Sequence, residues 1–368
     1  MRTLFFTIII SLYSLTSAAH LDSSKVKLSS FTSMLIVANN LYSLNKDGRL
    51  HIWDLNTLEK ILQSTDTLRH YTAIAKDNNN QVFLGTDKGK IYKLDNSEFT
   101  TRLFIELKKT YRISDIFFNS KDEIFLIVPY AIYDPINNEH WKDFKHERNG
   151  MIVRKRFLIF FRKRTNTYFD MPQYTFIDSN DRIWMTKSFG EFGGSIQIFD
   201  ARKREEIIVD IDSLNYGLFF PKSVFEDDDK NIYITSGLQH FSSSGEIYKI
   251  ENSTATEIYN SDDFIDTTDT RIFSGGIFVG PGTYNSTEKK IYFATSDGFY
   301  KADIPNKGRI KKPELIFTSE LTWEREPFAI GVGMTIKKLC FAKNNVLVFL
   351  TSNNGIGVYN GIRLQLLQ

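Results

Sequence analysis

A repeated phrase is the feature that most constrains how this 368-residue chain can fold. Each copy runs from a polar turn rich in Asp, Asn and Lys into a strand, then a tight turn that usually holds Gly, then a second strand. The copies lie at 39–55, 77–95, 120–135, 179–200, 227–251, 286–303 and 342–361. Because one such unit cannot bury both of its faces alone, the units must stack on one another.

The spacing of the copies predicts the architecture. One apolar residue near the start of the first strand of each copy serves as an anchor, and successive anchors are 41 to 59 residues apart. The anchors are Leu41, Val82, Ile124, Ile183, Ile232, Ile291 and Leu347. Further strand patterns precede and follow the copies, for example at 71–77 and 254–260, which makes four strands per unit. We predict an all-β fold, a β-propeller of seven four-stranded blades.

Two of the copies carry a family resemblance. The stretch NGIGVYNG at 354–361 and the stretch DRIWMT at 181–186 resemble the two-component-regulator type of propeller repeat, which occurs in secreted and sensor proteins of Bacteroidetes-like bacteria. The resemblance covers most of 39–361 and is weakest in the third copy. It implies a propeller fold and a binding role. The family's sensor proteins continue into a membrane helix and kinase domains, which this sequence lacks, so signalling is not implied.

The first residues have the three parts of a signal peptide. Arg2 is the charged end, 4–15 form a short apolar core, and the small residues at 16–19 offer a cleavage site after Ala18 or Ala19. A membrane anchor is the alternative, but spanning takes about 20 apolar residues. We expect 1–19 to be a cleaved signal peptide and 20–368 to be a single propeller domain without a membrane span. The protein would then be secreted or periplasmic.

Composition narrows the classes of function. The formal net charge of +2 gives no overall field that would recruit nucleic acid, so we expect no nucleic-acid partner. Cys340 is the single cysteine, which rules out an intramolecular disulfide, and its apolar surroundings predict a buried, inert thiol. The sequence has no CxxC, HExxH or clustered His/Cys motif, and the run of acidic residues at 226–229 is contiguous rather than alternating. We therefore expect no metal and no cofactor, and a monomer.

The irregular loops are the predicted binding site. In a propeller, the connections from the second to the third strand of a blade and from the fourth strand to the next blade emerge on one face. Here these loops combine aromatic rings with Arg and His, which suits a glycan, a flat small molecule or a protein. The predicted ligand-binding residues are Phe192, Tyr216, Phe220, His240, Phe241, Arg271, Trp323, Arg325 and Phe328. For each ring taken singly, packing of the loop against its blade is the alternative.

Three functions remain open from the sequence, the third of which is a purely structural interaction scaffold. The first is a non-catalytic module that binds a ligand or partner through these aromatic loops. The second is a propeller-fold lyase or glycoside hydrolase, in which His240 with Glu324 or Glu326 would act as an acid/base pair. Spacing alone does not bring these three residues together, so we assign no catalytic residue.

A basic segment and the two chain ends complete the predictions. Segment 139–166 holds nine Lys or Arg against three acidic residues. It either binds an anionic polymer or forms an outer strand and a hairpin, in which the charges that flank the apolar stretch prevent edge-to-edge pairing with other strands. At the C-terminal end, 362–367 is predicted to be the outermost strand of the seventh blade, with the segment near Val26 beside it as a clasp that closes the ring.

Overall fold

The computed structural model is a ring of seven four-stranded antiparallel sheets, each made from one continuous stretch of chain. It describes residues 29–142, 144, 156–157, 160–161, 169–207, 214–215, 217–239, 243–251, 254–264, 276–318 and 336–368. The predicted seven-bladed β-propeller is therefore confirmed. We call the strands of a blade a, b, c and d in chain order.

The blades follow the chain without exchange of strands. Blade 1 consists of β1 (Phe31–Val37), β2 (Asn40–Asn45), β3 (Leu50–Asp54) and β4 (Lys60–Gln63). Blade 2 consists of β5 (Tyr71–Lys76), β6 (Val82–Thr86), β7 (Lys90–Leu94) and β8 (Thr101–Glu106). Blade 3 consists of β9 (Asp115–Phe118), β10 (Ile124–Val128), β11 (Ala131–Asp134) and β12 (Glu139–Trp141). A two-stranded hairpin, β13 (Arg156–Phe157) with β14 (Phe160–Phe161), follows. Blades 4 and 5 are β15 (Tyr174–Ile177), β16 (Arg182–Ser188), β17 (Gly194–Asp200) and β18 (Glu205–Ile207); β19 (Pro221–Glu226), β20 (Ile232–Gln239), β21 (Ser243–Glu251) and β22 (Thr254–Asn260). Blades 6 and 7 are β23 (Val279–Asn285), β24 (Lys290–Thr295), β25 (Phe299–Asp303) and β26 (Glu314–Phe317); β27 (Ile336–Phe341), β28 (Leu347–Thr351), β29 (Ile356–Tyr359) and β30 (Leu364–Leu367).

The seven anchors of the repeat occupy equivalent places. Each lies at the first or second residue of strand b and is at most 4% exposed. Strand b is paired with strands a and c at its edges, and the neighbouring blades cover both faces of the sheet there, so an apolar side chain is required at every copy. The repeat predicts the fold because this requirement recurs once per blade.

Strand a is innermost. The a strands of neighbouring blades contact one another, as β5 does with β1 and β9, whereas strand d forms the outer edge of each sheet. Buried apolar side chains form clusters between successive blades, and one of these clusters joins blade 7 to blade 1. The core is therefore a set of layers between sheets, arranged around a central channel.

The turns between strands a and b share one device. Asp77, Asp178 and Asp227 each accept hydrogen bonds from the backbone N–H groups of the residues two and four positions later. One residue in each of these turns has a positive φ, which Asn and Asp tolerate better than most side chains. These residues are Ala38, Asn80, Asp122, Asp181, Lys230, Lys289 and Asn345. The polar composition of the repeat turn is thus required by its backbone.

Hydrogen bonds between turns join neighbouring blades on this face, which we call the turn face. The pairs, from blade 2 around to blade 1, are Asn78–Asp122, Ser120–Asp181, Ser179–Glu226, Lys289–Asp228, Asn285–Asn345 and Asn344–Asn56. The acidic run at 226–229 therefore supplies links between blades: Glu226 accepts from Ser179, and Asp228 pairs with Lys289.

Among the described strands, none is shared between blades 1 and 7, where the ring closes. As predicted, the C-terminal segment supplies the outermost strand of blade 7, which is β30. The predicted clasp near Val26 lies outside the described residues. Ser29, the first described residue, exchanges backbone hydrogen bonds with Asn353 and Gly355, in the turn between β28 and β29. This contact lies beside strand c of blade 7, and the clasp near Val26 stays a prediction.

The basic segment is described only in part. β12 is the outer strand of blade 3, and β13 pairs with β14 in a hairpin, as one of the two sequence interpretations requires. Residues 143, 145–155, 158–159 and 162–164 lie outside the described part of the chain, so binding of an anionic polymer stays a prediction.

Candidate functional site

The predicted site lies on the face opposite the turn face, which carries the b–c and d–a connections and which we call the loop face. Of the nine predicted ligand-binding residues, the structure describes Phe192 and Phe220. Those outside the described residues are Tyr216, His240, Phe241, Arg271, Trp323, Arg325 and Phe328. The proposed catalytic partners Glu324 and Glu326 also lie outside them, so the acid/base pair stays a prediction.

The two described residues have different surroundings. Phe192 ends a short 3-10 helix, Gly190–Phe192, in the b–c loop of blade 4, and its side chain is 77% exposed. Phe220 directly precedes β19 and is 2% exposed. Its backbone N–H donates to the Ser236 hydroxyl at 3.0 Å, which fixes it against blade 5. Phe192 is thus available to a ligand, whereas the ring of Phe220 is a packing group.

Further apolar side chains are exposed on the loop face. They include Leu68, Tyr130 and Leu218, in the connections that follow blade 1, β10 and blade 4. Tyr130 has a φ of +70° in the two-residue turn between β10 and β11, where an aromatic side chain is uncommon. The sequence analysis did not select these three residues. The signal in the sequence was the short Pro129–Tyr130 turn, which is too tight to fold the ring back onto its blade.

The channel wall carries a recurrent irregularity. Near the loop-face end of strand a, the register with strand b shifts in five of the seven blades, so the inner strand has an extra residue there. The extra residues are Thr32, Thr72, Lys222, Gly280 with Pro281, and Lys337. We call these positions the bulge ring. Bulges re-aim side chains and are common beside functional sites.

The bulge ring presents polar side chains to the channel. Thr32 and Lys337 are exposed, and Lys222 is half-buried, while the residues just before them in the three strands are buried. The partner strand covers one edge of an innermost strand, and the neighbouring blades cover its faces. A side chain that is accessible in such a strand therefore faces the channel. The site that the described residues assemble is the channel mouth, with exposed apolar side chains on the surrounding loops.

Lys222 is the most unusual member of this ring. Its ammonium group lies 5.5 Å from the centre of the Phe278 ring, and it makes no salt bridge with any acidic residue in the described ranges. Burial lowers the pKa of Lys222 to about 8. An amine in this position gains from the aromatic face, and the described residues supply no counter-ion for it.

Asp115 lies at the start of the innermost strand of blade 3. Its carboxylate accepts a hydrogen bond from the hydroxyl of Thr175 in blade 4 and another from the N–H of Ile116 at 2.9 Å. Burial raises the pKa of Asp115, and the positive charge of Lys338 opposes this rise. Since Lys338 belongs to blade 7, the two charges act on each other across the channel.

A second buried carboxyl lies in blade 5. Glu246, on β21, is 9% exposed, and its Oε2 atom has no hydrogen-bond partner among the residues that the structure describes. Burial raises the pKa of Glu246 to about 7; the Ser236 hydroxyl opposes the rise, and the charges of Glu257 and Asp262 add to it. Glu246 is therefore protonated in a large fraction of molecules near neutral pH.

The described residues were also compared with the requirements of a metal site, a reactive thiol and a membrane-spanning helix. No group of three or more His, Cys, Asp or Glu side chains within the described ranges is placed to hold a metal ion. Burial raises the pKa of the Cys340 thiol to about 11, which keeps it protonated at neutral pH. In the same ranges, no helix has the length and apolar character needed to cross a bilayer.

Comparisons with known proteins were made for sequence and for structure. No protein-family model matches the chain, and no curated protein sequence matches it. The resemblance to two-component-regulator repeats therefore stays a prediction.

Two solved structures that match this chain illustrate the range of similarity. The β-propeller domain of Cps50 (Swd1) from Myceliophteria thermophila matches with a TM-score of 0.55 and 10% identity, covering 90% of this chain and 97% of that one. The computationally designed Ika8 protein matches with a TM-score of 0.48 and 13% identity, covering 89% of this chain and 83% of its own. At 10% identity the likeness to the Cps50 domain shows the fold alone, and that fold is a β-propeller.

Proposed function

We propose that this protein is a non-catalytic binding module that takes a glycan, a small molecule or a protein partner at its loop face, around the channel mouth. The observation that carries the proposal is the bulge ring. The same local irregularity recurs in five inner strands at the same end of the channel, and its accessible side chains are polar. Exposed apolar residues such as Phe192 and Tyr130 supply the contact surface that many ligands and partners need.

A ligand screen with matched variants tests this proposal. Small molecules and glycans are screened against the wild-type protein by thermal shift, and the dissociation constants of the hits are then measured. Phe192→Ala removes an exposed ring from the loop face, and Thr32→Tyr narrows the channel mouth. Ile362→Ala is the control, because Ile362 is equally exposed, at 78%, but lies in the c–d turn of blade 7 on the turn face.

The proposal expects at least one hit whose affinity falls in a loop-face variant and is unchanged in the control. Hits that bind all the variants equally would place the binding surface elsewhere. A screen without any hit, repeated with protein partners, would remove the support for a binding role.

We also propose that the protein acts outside the cytoplasm, as a secreted or periplasmic protein. The support is the tripartite pattern of 1–19. The intact mass and N-terminal sequence of the exported protein test this, with Ala19 or His20 expected as the first residue. An uncleaved N-terminus in a membrane fraction would contradict it.

A further inference from the structure

The loop-face end of the channel has an uneven charge distribution. Strand a of blade 5 places Lys222 there, and strand a of blade 7 places Lys337 and Lys338 side by side, both of them exposed. The acidic residue that the described inner strands contribute at the same end is Asp115. Since the net charge of the whole chain is only +2, this concentration of cations is local.

Asp115 does not neutralise the charge of Lys338. No ion pair joins Asp115 to Lys338 in the described residues, and the donors that Asp115 uses are the Thr175 hydroxyl and the Ile116 N–H. Burial also raises the pKa of Asp115, which weakens its negative charge at a given pH. The hydrogen bond from Thr175 therefore occupies the Asp115 carboxylate, and Lys338 is left without a carboxylate partner in the described channel wall.

Lys222 is the second cation that has no counter-ion within the part of the chain that the structure describes. Its ammonium group lies over the Phe278 ring, and no described acid contacts it. A partly buried amine loses hydration that an anion would replace, and an anion would also favour its charged form. An ammonium group that is held over a ring and open to a channel is well placed to receive such a group.

We infer that the loop-face end of the channel binds a small molecule that carries two or more carboxylate or phosphate groups, with Lys222 and Lys338 as its principal contacts. The inference rests on the proposed binding function and names the chemistry of the ligand. Two or more anionic groups are required because the two lysines come from different blades, with blade 6 between them. A small molecule is required because the contacts lie on the innermost strands and not on the surrounding loops.

Titration calorimetry with citrate as the probe, at pH 7 and low ionic strength, tests the inference. Lys222→Gln and Lys338→Gln each remove one positive charge and keep a polar side chain. Lys311→Gln removes the same charge from an exposed site in the c–d connection of blade 6, far from strand a, and is the control. We expect citrate to bind the wild-type protein, each channel variant to weaken binding at least about 10-fold, and the control to leave it unchanged.

The pH dependence supplies a second readout. Because the free-state pKa of Lys222 is about 8, citrate binding at pH 8.5 should take up protons, and Lys222→Gln should abolish this uptake. Calorimetry in two buffers of different ionisation enthalpy measures it. If Lys222→Gln fails to fold, Lys338→Gln still tests the site, because Lys338 is exposed.

Three outcomes would overturn the inference. They are no citrate binding, equal binding to the channel variants and the wild type, and an equal loss in Lys311→Gln. A neutral disaccharide such as cellobiose is tested in parallel. If a neutral ligand binds at the loop face and citrate does not, the inference fails while the proposed function stands. If neither probe binds, the inference fails, and the wider screen with protein partners decides the proposed function.

Discussion

Ser120 in blade 3 donates two hydrogen bonds to the Asp181 carboxylate in blade 4, one from its backbone N–H at 2.8 Å and one from its hydroxyl at 2.6 Å. Arg202, from the c–d turn of blade 4, pairs with the same carboxylate. One buried side chain therefore connects a turn of one blade to two turns of the next. Burial alone would raise the pKa of Asp181, but these donors outweigh it and the pKa lies below its usual value.

Replacing this carboxylate should weaken the contact between blades 3 and 4. Asp181→Asn keeps a residue that tolerates the φ of +61° but loses the charge that Ser120 and Arg202 recognise. Hydrogen bonds to a charged group contribute about 1.5–3 kcal/mol, so we expect a loss of about that size in urea unfolding at pH 7. Because the folded-state pKa is lowered, the contribution is present above the unfolded pKa and disappears as the pH falls through the folded value. Asp47→Asn, at an exposed site, is the control and should change stability by less than about 0.5 kcal/mol.

Gly355 should be irreplaceable for the outer strand of blade 7. Its φ is +85°, and a Cβ atom built there would lie 2.1 Å from the carbonyl oxygen of Leu367. Gly361→Ala is the matched control, because Gly361 has a φ of +92° and no atom within 4 Å of its Cβ position. Both variants incur the backbone strain of about 1–3 kcal/mol, and Gly355→Ala should lose additional stability because β30 must move. Equal melting temperatures for the two variants would contradict this.

Truncation to Ala should lower the stability of the protein strongly at Phe220 and hardly at all at Phe192. Phe220→Ala removes a buried ring, which typically costs about 3–5 kcal/mol. Phe192→Ala removes an exposed ring and should change stability by less than about 0.5 kcal/mol. Denaturant unfolding of both variants measures the difference. A large loss for Phe192→Ala would show that its ring is a packing group as well.

Glu246 should make the protein less stable as the pH rises. Its folded-state pKa of about 7 exceeds the ordinary glutamate value of 4.5, so between these values the folded state binds more protons than the unfolded state. Stability should therefore fall through this window, by about 3 kcal/mol at most. Glu246→Gln should abolish that fall, and Glu59→Gln, at an exposed site, should not. Urea unfolding at pH 4.5, 6 and 8 provides the comparison.

His51 should have the opposite pH dependence. It is buried in blade 1, stacked on Trp53 with ring centres 5.6 Å apart, and burial, with smaller effects from Lys60 and Arg49, lowers its pKa to about 4. The neutral ring favours folding, so this contribution is complete above the unfolded pKa of about 6.5 and is lost as the pH falls towards 4. His51→Phe should reduce the loss of stability between pH 6.5 and 4. An NMR titration of the His51 ring that gave a pKa near 6.5 would contradict the assignment.

The repeat made the fold predictable because its requirement is local. Strand b is covered on both faces, so positions such as Ile183 and Ile232 must be apolar, and this apolar position recurs once per blade in the sequence. The bulge at Lys222 was not predictable in the same way. An extra residue shifts the register between β19 and β20, and the alternation of apolar and polar residues along one strand does not reveal its register with the next.

The site was less predictable because the direction of a loop side chain depends on its neighbours. Phe192 and Phe220 look alike in the sequence, and only the burial of Phe220, whose backbone N–H bonds to Ser236 of blade 5, separates them. Links such as that between Ser120 and Asp181 join residues about 60 positions apart, and no local pattern marks the pair.

The closure of the ring affects how the molecule folds. Within each blade, every strand pairs with one that is adjacent in the chain, so each blade can form from contacts close in sequence. The interface between blades 1 and 7 instead brings together residues more than 300 positions apart, such as Ser30 and Asn353. Contacts of such high sequence separation are entropically the most costly to nucleate, so the other interfaces should form before this one. Slow steps in refolding, and the first opening under mechanical load, are then expected at the contact between the first and last blades.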